Sequence, residues 1–361
     1  MKRLPIWGLA CAIAVAVLII TMVLPERQFA PEVSAKTVQV VKESELINLG
    51  MNQVLSPREI PGTSEIIYGK DDKLWIWDQN QNIHRALPLG PLLYMRNAAP
   101  SPDGSRIALV GYQKGSAGIW LVNRDGSSLK LLAAPASMME SYDSPSWSPD
   151  GKMVAFSKTL MEARPGHGFD VKQEEIWIAD VVTGQARMLT AGKQPAWSPD
   201  GKQLAFTRTV SSPDGEKQQI WTIRLDGTDA VTLTEGMEPS WSPNGDFIAF
   251  SRYNTSAFAA PQDAEQPDGS MVSASLRELW AIHVPSKTLS QLTHSRVNLS
   301  RIPFDAAPTG SGQPIRYVTS GEFADWEPSW SKDGQSILLV RDINEEKGNH
   351  FSLYRLQVEY E

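Results

Sequence analysis

Apolar and polar positions alternate along this chain in short runs, and one arrangement of them returns. Residues 145–157 read PSWSPDGKMVAFS. PAWSPDGKQLAFT follows at 195–207, PSWSPNGDFIAFS at 239–251 and PSWSKDGQSILLV at 328–340, with a weaker AAPSPDGSRIALV at 98–110. Each copy predicts a hairpin. A short strand carries Trp147, Trp197, Trp241 or Trp330. Ser-Pro-Asp-Gly then fits a tight turn, because proline presets φ and glycine suits the last position. The second strand, at 153–156, 204–206, 247–250 and 337–340, is apolar on both faces and belongs inside a stack of sheets.

A second element recurs later in each unit. It is an aliphatic residue followed by tryptophan: Leu74-Trp75, Ile119-Trp120, Ile176-Trp177, Ile220-Trp221 and Leu279-Trp280, softened to Leu353-Tyr354. Turn residues and a fourth strand follow, as at 187–190, 231–234 and 290–293. Four strands per unit at a period near 45 residues mark a β-propeller. A degenerate first unit is expected over 64–87, with residues 51–55 as its inner strand. Further units begin near Ala98, Pro145, Pro195, Pro239 and Pro328. The expected fold is all-β: a six-bladed propeller of four-stranded antiparallel blades, preceded by one N-terminal transmembrane helix. Residues 294–326 fit no unit and are expected to be an insertion, with a degenerate seventh blade as the alternative.

The repeat PSWSPDGKMVAFS, with IWIAD and RMLTAG after it, resembles the TolB-type propeller repeat over roughly residues 45–361. The resemblance implies a propeller in a bacterial cell envelope. It does not separate a binding module from an enzyme, because the propellers of prolyl-oligopeptidase-like enzymes carry similar repeats. The chain departs from TolB itself in lacking room for the α/β domain that precedes the propeller in that family.

The N-terminus changes the picture most. Lys2 and Arg3 precede 21 uncharged residues, 4–24, which open on Leu4 and close on Leu24. At a rise of about 1.5 Å per residue, this run spans the hydrocarbon core of a bilayer. It reads as a signal-anchor with a cytoplasmic stub, and the body exported. Cleavage after Ala35 competes with this reading, and a lipobox at Cys11 fits less well, because Gly8-Leu9-Ala10 matches it poorly and the apolar run continues past the cysteine. The expected domains are 1–24 for stub and anchor, 25–36 for a linker and 37–361 for the propeller.

The net charge is −7, which argues against nucleic acid as a partner. Cys11 is the single cysteine, so no internal disulfide forms. The five histidines are scattered without metal-site spacing, and no nucleophile elbow or phosphate loop is present. The turn aspartates could hold calcium, but aspartate suits such turns without an ion, so no cofactor is expected. The expected function is therefore a non-catalytic module that binds a protein or cell-envelope ligand. The alternative is a propeller hydrolase or lyase with its site in the central channel.

Chain topology adds one inference. In a four-stranded meander the second turn of each blade and the crossing between blades share one end. The long segments 158–174, 209–217, 253–277 and 342–349 are second turns, and 294–326 is a crossing. All fall on one face, where variable loops on a rigid frame carry binding. Arg164, His167, Asp170, Tyr253, Arg296, Arg301 and Asp305 are the candidate binding residues there. Finally, the last unit supplies only three strands before Glu361. An open edge is unfavourable, so residues 37–41 (TVQVV) are expected to pair with 351–358 as the missing fourth strand.

Overall fold

The structure is a computed structural model that describes residues 34–50, 54–113, 116–166, 168–213, 215–254, 276–295, 298–303, 315–320, 323–343 and 350–361. The expected membrane segment, Cys11, His167, Arg296 and Asp305 lie outside these residues. Every regular element among them is a strand. β1 is Val38–Asn48. Four meanders follow: β2 to β5 (Val54–Glu59, Glu65–Lys70, Lys73–Asp78, Ile83–Ala86), β6 to β9 (Leu93–Pro100, Arg106–Gln113, Ser116–Asn123, Lys130–Ala133), β10 to β13 (Glu140–Trp147, Met153–Ala163, Phe169–Asp180, Ala186–Ala191) and β14 to β17 (Lys193–Trp197, Gln203–Ser212, Gly215–Arg224, Val231–Glu235). Next come β18 to β21 (Met237–Trp241, Phe247–Asn254, Leu276–His283, Thr288–Gln291), the pair β22 and β23 (Asn298–Pro303, Ile315–Ser320), and β24 to β26 (Phe323–Trp330, Ser336–Ile343, His350–Tyr360).

The all-β propeller is as expected, but the blade count is not. The structure shows four separate four-stranded sheets, not six. The remaining long strands make one eight-stranded sheet, in the order β1-β26-β25-β24-β20-β19-β18 with β21 on β20. A single parallel bridge between Arg277 and Ala324 fuses what the repeats predict as two units.

Each face of each sheet is apolar and packs on the next. Ile60, Ile67 and Leu74 of the first sheet meet Ile107, Leu109 and Trp120 of the second. Ala108 and Val110 of the second meet Trp147, Val154 and Phe156 of the third. Ile176 and Ile178 then meet Trp197, Leu204 and Phe206 of the fourth. Ala205 and Ile220 continue to Ile248 and Phe250 of the eight-stranded sheet. Its far end returns to the start, with Leu338, Val340 and Leu353 against Ile66, Tyr68 and Trp77. The ring is therefore closed, and its fully buried strands explain why those runs are apolar on both faces.

The closure strand forms as expected and is longer. β1 runs antiparallel to β26 from Val38 opposite Tyr360 to Asn48 opposite Ser352. Residues 38–40 lie against 358–360, so the register is shifted toward the C-terminus relative to the expected partner 351–358. The buried guanidinium of Arg341 fastens it, with Nη1 2.8 Å from Glu43 and Nε 2.7 Å from Asp325.

The insertion 294–326 is smaller than expected, since Phe323–Trp330 is the inner strand β24. β22 and β23 form a two-stranded sheet, so the described part is a hairpin rather than a four-stranded blade. The first inner strand is Val54–Glu59 rather than 51–55, of which 51–53 lie outside the described residues.

Two long second turns are not loops. β11 and β12 stay paired out to Ala163 opposite Phe169, and β15 and β16 out to Ser212 opposite Gly215. They are hairpin arms that extend past the inner strands, since Lys193 already lies beside Thr207. This defines an arm end of the molecule. The Ser-Pro-Asp-Gly turns define the other. The chain enters at the turn end, where Lys36 lies 2.9 Å from Asp246 and the Tyr360 hydroxyl donates to the Gly334 carbonyl at 2.6 Å.

Candidate functional site: the central channel and the arm end

Each of the six inner strands, β2, β6, β10, β14, β18 and β24, breaks its ladder just ahead of its last paired residues. The register slips between Leu55 and Arg58, Arg96 and Ala99, Asp143 and Ser146, Lys193 and Ala196, Met237 and Ser240, and Trp326 and Ser329. At each slip sits a non-glycine residue with positive φ: Ser56 (50°), Asn97 (49°), Ser144 (51°), Gln194 (55°), Glu238 (59°) and Glu327 (52°). Such a bulge aims a side chain out of the ladder. The left-handed backbone costs about 1–2 kcal/mol per residue, so it persists only where the surroundings impose it. All six residues line one cavity of about 310 Å³ at the centre of the ring, together with Arg58.

The bulges are linked around the channel by hydrogen bonds. The Glu238 N–H donates to Gln194 Oε1 at 3.3 Å, and the Glu327 N–H donates to Glu238 Oε2 at 2.8 Å. The Ser56 N–H donates to Glu327 Oε2, and the Ser56 hydroxyl to Asn97 Oδ1 at 2.6 Å. Asn97 Nδ2 donates to Asp143. Glu238 is held further by Arg277, whose Nη2 lies 2.7 Å from Glu238 Oε1 and also donates to Ser251 Oγ at 2.8 Å. Arg277 is 1% exposed and sits over the Trp326 ring at 4.0 Å from its centroid.

This geometry shifts protonation. Burial pushes the Glu327 carboxyl up to about 7, and the charge of Glu238 adds to the rise. Arg58 and the hydrogen bonds from Ser56 oppose it. Burial also lowers Arg58 from its usual value, against the pull of Glu327 and Glu238. A carboxyl that titrates near neutrality beside a guanidinium can exchange a proton or hold a polar ligand.

At the arm end, Arg164 and Asp170 meet each other in an exposed ion pair, with Nε 3.0 Å from Oδ2. Tyr253 is 48% exposed near the end of β19 and lies over Arg277 at 5.6 Å. Among the described residues, no contact joins Tyr253 to the Arg164–Asp170 pair. Arg301 lies in β22 opposite Tyr317. The channel residues are not among the candidates that the sequence pattern singles out. Their signal is the residue before a proline in five of the six units, Ser56-Pro57, Ser144-Pro145, Gln194-Pro195, Glu238-Pro239 and Glu327-Pro328, whereas Asn97 precedes Ala98.

No family model matches this chain, and no curated protein does. Solved structures do. A protein of Agrobacterium tumefaciens described as a TolB is 19% identical, with 84% of this chain and 90% of that chain covered at a TM-score of 0.54. TolB from Acinetobacter baumannii is 18% identical over 85% of this chain and 64% of its own, with a TM-score of 0.48. An oligogalacturonate lyase in complex with manganese is 14% identical over 88% and 98%, at 0.48. At such identities the likeness is one of fold, and the fold of this chain is that of a TolB-like β-propeller.

Proposed function

We propose that this chain is an exported, membrane-tethered binding module, a six-bladed TolB-like propeller that takes a protein or cell-envelope ligand at its arm end. The observation that carries the reading is the concentration of additions at that end. The β11–β12 and β15–β16 arms, the crossing that bears the β22–β23 hairpin and the bulged mouth of the channel all lie there, opposite the end where the chain enters. Six bulges support six blades, as does the packing within the eight-stranded sheet. There Phe247, Ala249 and Leu279 meet Trp330, Ile337 and Leu339 face to face, as neighbouring sheets do elsewhere in the ring.

The proposed contact residues are Arg164, Asp170, Tyr253 and Arg301, with His167, Arg296 and Asp305 from the same segments. Residues 4–24 supply the single-pass anchor, with the N-terminus cytoplasmic. A photo-crosslinking residue placed at Phe169 or Val171, which are 59% and 60% exposed, tests the ligand face. Crosslinks from these positions in cells, and none from Lys152 or Lys202 at the turn end, are the expected result. Equal crosslinking from both ends sinks the reading. Protease treatment of spheroplasts, with the body cleaved and the protein in the membrane fraction, tests the tether.

A second reading, a hydrolase or lyase with its site in the channel, draws on one arrangement: Glu327 and Arg58 line the channel together, and burial raises the Glu327 carboxyl. Turnover of an envelope glycan or peptide that is lost in Glu327→Gln would replace the first reading with this one.

A further inference from the structure

We infer that Glu327, with Glu238 beside it, forms a proton-operated clasp at the channel mouth: with Glu327 protonated the ring of bulges is tight, and with Glu327 ionised it loosens at the junctions of β18, β24 and β2. The geometry carries this. Glu327 stands where the inner strand β24, late in the chain, meets the inner strand β2, early in it. Its own N–H is held by Glu238 Oε2 at 2.8 Å, and its Oε2 holds the N–H of Ser56. Arg58 Nη1 adds a 3.4 Å contact to the Glu327 carbonyl. Three inner strands therefore depend on two adjacent carboxyl groups.

The charges facing Glu327 are Glu238 from β18 and Arg58 from β2. Behind Glu238 stands Arg277 of β20, already committed to Glu238 at 2.7 Å. Glu59 also lines the channel but is paired with Arg355 at 3.0 Å. Arg277 is committed to Glu238, and Glu327, whose carboxyl burial raises, has only Arg58 to oppose the rise among the facing charges. With Glu327 neutral, the pair is a carboxyl beside a carboxylate, and repulsion across the mouth is absent. With Glu327 ionised, two like charges line the same part-buried stretch of the channel, and Arg58 is the guanidinium that faces Glu327.

The sign follows from linkage. The folded-state value of about 7 lies above the ordinary 4.5. Between the two, the folded form holds a proton that the unfolded form has released, so folding is favoured by acid and weakened as pH rises through 7. The clasp is thus firm in a mildly acidic medium and slack in an alkaline one, and demonstrating it needs no ligand.

Three measurements on the propeller in its full-length chain test this. First, carbon-13 NMR of glutamate-labelled wild type should show one carboxyl titrating near neutrality, absent in Glu327→Gln. Second, the melting temperature of the wild type should fall between about pH 5.5 and pH 8 relative to Glu327→Gln, which keeps the acceptor for Ser56 but cannot ionise. Third, the amides of Ser56, Glu238 and Glu327 should exchange faster on the alkaline side once corrected for intrinsic rates, and those of the Ser-Pro-Asp-Gly turns should not. No glutamate titrating near neutrality overturns the inference even if the variant fails to fold. Parallel melting profiles, or uniform exchange at both ends of the ring, overturn it equally.

Discussion

The indole N–H of Trp147 donates to the backbone carbonyl of Ala99 at 2.9 Å, joining the inner strands of two neighbouring sheets across 48 residues of sequence. Trp197 repeats the bond, donating to the Ser146 carbonyl at 3.1 Å. Trp241 and Trp330 occupy the same position of the repeat, yet their indole N–H groups are buried without a partner among the described residues. A repeat that is uniform in sequence is therefore not uniform in bonding.

That difference predicts unequal costs. Trp147→Phe removes the hydrogen bond to the Ala99 carbonyl, whereas Trp241→Phe removes a donor that has no acceptor among the described residues. Urea denaturation should show Trp147→Phe less stable than Trp241→Phe by about 1 kcal/mol. Equal losses would mean that the indole bond contributes nothing to the junction.

Gly151 tests the turn. Its φ is +68°, and the nearest atom to an added Cβ is Pro102 Cδ at 4.0 Å, so backbone conformation rather than space excludes a side chain. Asp150 Oδ1 accepts from Ser148 Oγ at 2.6 Å and from the Lys152 N–H at 3.1 Å, which fixes the turn around it. Gly151→Val should cost on the order of 1–3 kcal/mol, read as a lower urea midpoint with an unchanged slope.

The fold was legible because the residues that make it recur. Tryptophan, Ser-Pro-Asp-Gly and the following apolar run mark inner strand, turn and second strand in each unit, and the unpaired stretch at 37–41 pointed to its partner. The blade count was less so, because a single backbone bridge between Arg277 and Ala324 merges sheets and leaves no trace in composition. The arms were read as loops because 158–174 and 209–217 are polar, and a hairpin exposed on both faces lacks the alternation that marks a strand. The channel was the least legible part. Ser56, Asn97, Ser144, Gln194, Glu238 and Glu327 differ in type, and a bulge is a property of pairing rather than of the residue.

Arg277 connects packing to the site. Its guanidinium is buried, pairs with Glu238 and stacks on Trp326, while its Nε has no partner among the described residues. Arg277→Met should retain the stacking volume but leave the part-buried Glu238 without its cation, a loss of up to about 3 kcal/mol, below that of a fully buried pair. The same change should move the Glu327 titration, because it removes the cation that faces Glu238, whose charge raises the Glu327 carboxyl. A variant as stable as wild type would show that Glu238 is held well enough by Ser251 and the Glu327 N–H.

The last expectation concerns the join between the ends of the chain. β1 supplies the outer strand beside β26, and its side chains reach further than its ladder. Val38 packs with Phe247, Trp330, Ile337 and Val358, and Glu43 completes the ion cluster of Arg341 and Asp325. Asp325 is fully buried, and burial raises its carboxyl while Arg341 opposes the rise. Removing residues 36–42 would expose the edge of β26, uncover Val38's neighbours and draw Glu43 away from Arg341 by shortening the strand that carries it. Removing residues 26–35 removes none of these contacts among the described residues. The first deletion should therefore lower the melting temperature by many degrees, and the second should leave it nearly unchanged. Glu43→Gln offers a milder probe, which keeps the strand and removes only the charge at 2.8 Å from Arg341. If the two deletions melt together, the ring is held shut by the apolar contact of Leu338 and Leu353 with Ile66 and Tyr68, and β1 is not its fastening.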